Sequence, residues 1–270
     1  MKRSNPSGSY DIAQLAESLE GDLHADLLRR YMLSTDGSIY RKEPACVVYP
    51  RNARDVARAI EFARQNGLSV HARGSGSGLC GSALGSGIVV DFTQYMNRLL
   101  QLNLEEGWFE CEPGYRFGEL EAELKNSGWF FPPDPSSGEY ASFGGMYGTN
   151  ASGAHSVKYG NVGDYILDAD VQLADGSEIS LGDIEATPSA DLPAHLATIA
   201  ELYRNNRQLI ETSYPAIKCN VAGYNLRGLF VDDKLNLRQL FAGAEGTLGV
   251  VTRLRFRLEK KPDFPGRDFK

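Results

Sequence analysis

The chain has 270 residues, 42% hydrophobic and 23% charged, enough for one large domain or two small ones around a real core and unlike a disordered or fibrous sequence. Its 35 acidic and 28 basic residues give a formal charge of −7 with no block of like charge, so nothing suggests a nucleic-acid or anionic-membrane surface and an anionic ligand must be held locally. The four cysteines, Cys46, Cys80, Cys111 and Cys219, lie far apart without a CxxC pair, which argues against zinc, an iron–sulfur cluster or a disulfide framework and points to a reducing cytoplasm. No apolar run approaches the roughly 18 residues of a membrane span, and the polar start MKRSNPSGS lacks the apolar core of a signal peptide.

In chain order, Tyr10 to Leu33 has helical spacing, with Ile12, Leu15, Ala16 and Leu19 and then Leu23, Leu27 and Leu28 forming apolar stripes, and predicts two short helices. A β-α-β unit follows. Ala45 to Tyr49 reads as a strand, Asn52 caps a helix carrying Val56, Ile60 and Ala63, Gly67 ends it, and Leu68 to Ala72 is a second strand. Six glycines crowd the fourteen residues from Gly74 to Gly87, before the β-branched run Ile88-Val89-Val90-Asp91, so this glycine loop joins strand to strand. Beyond a boundary near Phe92 come strands at Leu99 to Leu102 and Trp108 to Glu112, then a helix with Phe117, Leu120 and Leu124 stopped by Gly128. A strand at Asp170 to Ala174, a long helix from Ala194 to Ile210 begun by Asp191 and Pro193, and a closing strand from Gly249 to Leu258 complete an α+β second half.

Within the glycine loop, Gly76-Ser77-Gly78-Leu79-Cys80-Gly81 satisfies GxGxxG, the string of a dinucleotide-binding Rossmann turn. That fingerprint needs a helix starting inside the motif, whereas here the next regular segment is a strand, so the Rossmann reading is rejected. No GK[ST] is present for a triphosphate loop either. What remains is an anion nest. Glycine accepts positive φ, so successive N–H groups converge on a diphosphate without side chains in the way, and Ser75 and Ser77 add hydroxyl donors. The bland alternative is a tight connection. Two further stretches are unusual: Phe131-Pro132-Pro133-Asp134-Pro135-Ser136-Ser137 with Ser142 to Gly153, stiff and then free, and Phe241 to Thr252, where glycines lead into an apolar strand. Both suit a large flat cofactor, and both also read as ordinary turns.

In order and spacing these three stretches resemble the FAD-binding domain of the vanillyl-alcohol oxidase-like (PCMH-type) flavoproteins, from about Ala45 onward. More narrowly, RGSGSGLCGSALG from Arg73, PPDPSS from Pro132, GTNASGAHSVKYG from Gly148 and GAEGTLGVVT from Gly243 are similar to the glycolate oxidase, D-lactate dehydrogenase and D-2-hydroxyglutarate dehydrogenase branch. With STDGSIYRKEPACVVYPRNARDV from Ser34, the chain looks closest to long bacterial members fused to a C-terminal iron–sulfur domain. The helical spacing gives a helical extension over residues 1–35, and the resemblance implies a parallel β-α-β subdomain over 36–92, a larger antiparallel subdomain over 93–260, and at 261–270 the start of a linker to a missing cap domain. FAD would lie between the subdomains.

Carried over residue by residue, Gly74, Ser75, Gly76, Ser77 and Gly78 hold the diphosphate, Pro133, Asp134, Pro135, Ser136, Gly144 and Gly145 approach the flavin, and Thr149, Ser152 and Gly153 line its chain. Val250 offers backbone contacts beside Glu245, Gly246 and Gly249, while Arg73 faces either phosphate or an ion-pair partner and Tyr159 is the weakest candidate. Relatives with covalent flavin use a histidine in the glycine loop; Ser77 or its neighbour stands there and His71 lies outside it, so the attachment is expected to be noncovalent. The implied reaction is oxidation of a 2-hydroxy acid by hydride transfer to FAD, needing a base and a carboxylate-binding cation. His24 and His195 fall in predicted helices, His71 ends a strand, and His155 shapes the flavin pocket, so no catalytic residue and no metal ligand is assigned. Those groups would come from the cap and any cluster from the further domain, in a cytoplasmic protein that could sit at the inner membrane within a larger redox protein. The competing readings are a sugar or alcohol oxidase or nicotinamide-linked reductase of the same fold, a flavin electron-transfer subunit, and a module without cofactor.

Overall fold

A computed structural model describes residues 11–186, 192–215, 217, 220–231 and 234–262. The helix-start signal at Asp191, Cys219 and most of the expected linker, residues 263–270, lie outside them. The first lobe runs through α1 (Ile12–Ser18), β1 (Asp22–His24), α2 (Leu27–Met32), β2 (Cys46–Tyr49), α3 (Ala53–Asn66), β3 (Val70–Arg73) and β4 (Ile88–Asp91). Its sheet has the order β1-β2-β4-β3, with β2 and β3 both parallel to β4. The two β-α-β strands are therefore not neighbours, because β4 inserts between them. β1 pairs antiparallel with β2, which corrects the reading of two helices alone and moves His24 from a helix to a strand.

Helix α3 forms where the sequence signals it. The Asn52 side chain accepts the Asp55 N–H, and Gly67 closes the helix with φ 63°. The Asp55 carboxylate is fully buried, yet it accepts three backbone N–H groups, from Glu20, Gly21 and Arg51, at 2.9–3.0 Å. It thereby ties the N-terminal segment to the lobe.

The second lobe continues with β5 (Leu99–Asn103), β6 (Trp108–Cys111), α4 (Phe117–Glu123), β7 (Trp129–Phe130), α5 (Phe143–Gly148), α6 (Ser156–Tyr159), β8 (Ile166–Gln172) and β9 (Glu178–Ser180). After α7 (Leu181–Ala186) and α8 (Ala194–Ser213) come β10 (Phe230–Val231), β11 (Lys234–Leu235), α9 (Leu237–Phe241), β12 (Val250–Arg257) and β13 (Glu259–Lys260). Five strands form an antiparallel sheet, β5-β6-β12-β8-β9. Among the described residues no helix is long and apolar enough to cross a membrane.

Each lobe has its own core, and β12 joins them. Its register against β8 slips at Thr252, so Val251, Leu254 and Phe256 pack with the second core while Val250 inserts into the first, among Val56, Ile60 and Val90. Helix α3 touches both the small sheet and strands β8 and β12. The first core also takes Phe92 and Met96.

Candidate cofactor cleft

Between the lobes lies a cleft of about 580 Å³, within the range of small-molecule and cofactor sites. The glycine loop forms one wall. Joining β3 to the parallel strand β4, it must run out beyond one end of the sheet and return to the other. Its glycines divide that task. Gly74, Gly76 and Gly78 line the cleft, whereas a Cβ on Gly85 would sit 1.9 Å from the His71 ring and one on Gly87 1.9 Å from the Ser69 carbonyl oxygen. The last two glycines therefore serve the return leg over β3, not the ligand.

The opposite wall combines Ser136 and Ser137, a second segment of Ala141, Ser142 and residues 144–149, and a third of Ala244, Glu245, Gly246, Gly249 and Val251. An aromatic cluster fixes the starts of its first two segments: Phe131 and Phe143 pack on each other at 5.4 Å between ring centroids and both pack on Phe256. Backbone bonds tie the third to the second, Gly243 N–H to Tyr147 C=O at 3.1 Å and Glu245 N–H to Gly148 C=O at 2.8 Å. Glu245 takes a left-handed φ of 53° to do so. Tyr147, wholly buried, donates its hydroxyl to the Arg238 carbonyl, and burial pushes its pKa well up, so it stays neutral. Ser75 Oγ donates to the Tyr140 carbonyl and bridges the two walls.

The floor carries the site's buried charge. Arg73 is only 8% exposed and pairs with Asp91 across 3.8 Å. Burial chiefly raises the Asp91 pKa, opposed by hydrogen bonds from Thr93 and by the Arg73 charge. The guanidinium lies under Gly76, where a Cβ would come within 2.4 Å of Arg73 Nη2. Arg73 Nη1 and Ser142 Oγ, both in cleft-lining residues, are buried without a hydrogen-bond partner. A Cβ on Gly74 would lie 1.9 Å from that same Ser142 oxygen. A cation and a hydroxyl with spare donors, beside glycines that must stay bare, fit a phosphate-bearing cofactor.

Of the residues singled out from sequence, Arg73, Gly74, Ser75, Gly76, Ser77, Gly78, Ser136, Gly144, Gly145, Thr149, Glu245, Gly246 and Gly249 line the cleft. The others do not, each for a physical reason. Pro133 and Pro135 are buried behind it, and Asp134 turns into a separate hollow of about 100 Å³, where its carboxylate lies 3.8 Å from His155 Nδ1. His155 consequently lines that hollow and not the cleft. Gly153 is packed on the Asp134 carbonyl in a bridge to Pro135, Ser152 is exposed outside, and Tyr159 meets Phe130 edge-on at 5.5 Å. Val250 is spent on the first core; its neighbours Gly249 and Val251 face the cleft. Sequence reading takes in Ser142 only as the start of the stretch to Gly153, with no role of its own, and passes over Pro113 and Val221; all three also line it. A serine two residues before a Gly-Gly pair carries no signal of its own, and Pro113 reaches the cleft because Gly144 packs on it.

Comparison with known proteins agrees with this geometry. The profile of the FAD binding domain family matches residues 44–182. The D-2-hydroxyglutarate dehydrogenase of Escherichia coli (strain K12) is 34% identical over 258 residues, covering 91% of this chain and 25% of that protein. The glycolate oxidase subunit GlcD of Bacillus subtilis (strain 168) is 29% identical over 226 residues, 83% of this chain and 39% of that protein. The solved structure of 6-hydroxy-D-nicotine oxidase from Arthrobacter nicotinovorans has the same fold, with a TM-score of 0.64 at 22% identity over 91% of this chain and 43% of that one. The chain spans about a quarter of the length of the D-2-hydroxyglutarate dehydrogenase it matches. Because the matched segment takes in the glycine loop, Ser142 and α5 and more than half of the 270 residues, the chain belongs to the FAD binding domain family, and FAD is its cofactor.

Proposed function

We propose that this chain is the flavin-holding part of a dehydrogenase that oxidises a 2-hydroxy acid. The observation that carries the reading is the 34% identity to D-2-hydroxyglutarate dehydrogenase over 91% of the chain, joined to a cleft whose floor is a buried cation beneath a glycine loop. Bound FAD supplies the hydride acceptor. The chain's own residues hold and orient it: the N–H groups of residues 74–78, the Arg73 guanidinium and the Ser142 hydroxyl take the diphosphate, while residues 144–149 with Glu245, Gly246, Gly249 and Val251 flank the flavin. No histidine lines the cleft among the described residues, and the Tyr147 hydroxyl is committed to Arg238, so we assign the substrate's base and carboxylate partner to residues outside those described. The flavin is held without a covalent bond.

The test is an absorbance spectrum of the purified protein after incubation with FAD and removal of the excess, followed by acid precipitation. Flavin bands that move to the supernatant support the reading; colour that stays with the precipitate overturns the noncovalent part, and a colourless protein overturns the site. Anaerobic addition of D-2-hydroxyglutarate, D-lactate or glycolate to the protein as its gene encodes it should then bleach the flavin. Bleaching by none of them overturns the substrate class.

A further inference from the structure

The FAD-domain profile begins at residue 44, yet part of the grip on the glycine loop comes from residues before it. Residues 34–42 fold back as a strap. Thr35 and Arg41 form an antiparallel bridge, and Lys42 N–H donates to the Ser34 carbonyl at 2.8 Å. At the apex Asp36 Oδ1 accepts the Ser38 N–H at 2.9 Å, and Ser38 Oγ accepts the Tyr40 N–H at 3.1 Å, which turns the chain. The base is anchored: Ser34 is fully buried and accepts from Arg41 Nε, and Arg30 Nε donates to the Pro44 carbonyl at 2.8 Å.

The strap meets the glycine loop at two points. Gly37 N–H donates to the Gly76 carbonyl at 2.8 Å, and Gly37 is packed so closely that a Cβ there would lie 2.7 Å from the Ser77 carbonyl oxygen and 3.0 Å from that of Gly78. The Tyr40 ring lies on Gly81, where a Cβ would come within 3.0 Å of Tyr40 Cδ2. Gly76 and Gly81 have φ of 67° and 80°, left-handed conformations that only fixed surroundings hold in a glycine-rich segment. From the other side the Arg73 guanidinium fills the space under Gly76.

We propose that the strap is a positioning element of the cofactor site: Gly37 and Tyr40 hold residues 74–81 in the shape that receives the FAD diphosphate, although neither lines the cleft. This rests on the reading, given above, that the glycine loop takes the diphosphate. The physical reason is preorganisation. A loop left free must be ordered at the moment of binding, and each residue so ordered weakens affinity roughly tenfold.

Dissociation constants for FAD and for riboflavin, which lacks the diphosphate, are to be measured by flavin fluorescence, together with the flavin-free unfolding temperature. The proteins are wild type, Gly37→Val, Tyr40→Ala, Tyr40→Phe and, as control, Ile39→Ser at a side chain 95% exposed. Gly37→Val and Tyr40→Ala should each weaken FAD binding by about tenfold or more, the loss expected for one freed loop residue, with riboflavin binding and the unfolding temperature unchanged. Tyr40→Phe and Ile39→Ser should bind as wild type. If both flavins and the unfolding temperature fall together, the strap is a general prop and the proposal is overturned. Wild-type FAD affinity in Gly37→Val and Tyr40→Ala overturns the strap alone, whereas a wild type that binds no FAD overturns the diphosphate reading and the strap with it.

Discussion

Arg73 answers at the scale of one residue a question its sequence position leaves open. Preceding a glycine loop, it could face phosphate or pair with a carboxylate; in the structure it pairs with Asp91 in the interior and still keeps Nη1 without a partner. Removing only the cation strands a buried carboxylate whose pKa burial already raises. Arg73→Met should therefore cost about 3–5 kcal/mol of stability. The double variant Arg73→Met with Asp91→Asn should recover most of that while binding FAD some 10- to 100-fold more weakly, the worth of a charge-assisted hydrogen bond. Urea unfolding and flavin titration of both variants check this; a double variant as unstable as the single one would mean that the pairing with Asp91 is not what matters. Ser142 teaches the converse. Its role depends on Gly74 arriving across the cleft, a contact between residues far apart in sequence that no local pattern announces.

Among the elements, those fixed by their own caps and periodicity were legible: α3 between Asn52 and Gly67, β4 as a β-branched run, and the loop that joins strand to strand. β1 was not, because three residues, Asp22 to His24, become a strand only through pairing with β2. The separation of β2 from β3 by β4 is likewise set by the return of the glycine loop and not by either strand's sequence. The loops of the site were legible as composition, but which residues face the ligand was not: the Pro-rich loop shows Ser136 to the cleft and turns Asp134 away from it. On the outer face of the large sheet, Arg253 reaches Glu110, Asp168 and Asp170 at 2.5–2.8 Å. Burial raises the Asp168 carboxyl, but hydrogen bonds from Arg253 and the Gly182 N–H outweigh it and hold its pKa below the usual aspartate value. An acid lowered in the folded state stabilises the fold above its unfolded pKa, about 3.9, and loses that contribution as pH falls through the folded value. Asp168→Asn should be less stable than wild type at pH 7, and the gap should close on acidification below about pH 4. Urea midpoints across that range test it, and a gap independent of pH would exclude the ion pair as its source.

For the whole molecule, the cleft draws its walls from both lobes, so a bound cofactor links their stabilities. FAD at 100 times its dissociation constant should add about 2.7 kcal/mol, a rise of roughly 5–10 °C in unfolding temperature for a chain of this size. With α3 on both sheets and Val250 in the first core, the rise should come as one transition and not two. Differential scanning calorimetry with and without FAD decides; an early peak that FAD leaves in place would show a lobe unfolding independently.

Val250 also sets a timetable for biosynthesis. The other residues of the first core are made by Met96, but this last one follows 154 residues later. At ribosomal speeds that interval is roughly 10–30 s. During it the nascent lobe exposes an unfilled apolar socket, a binding opportunity for chaperones that closes only when β12 has been synthesised.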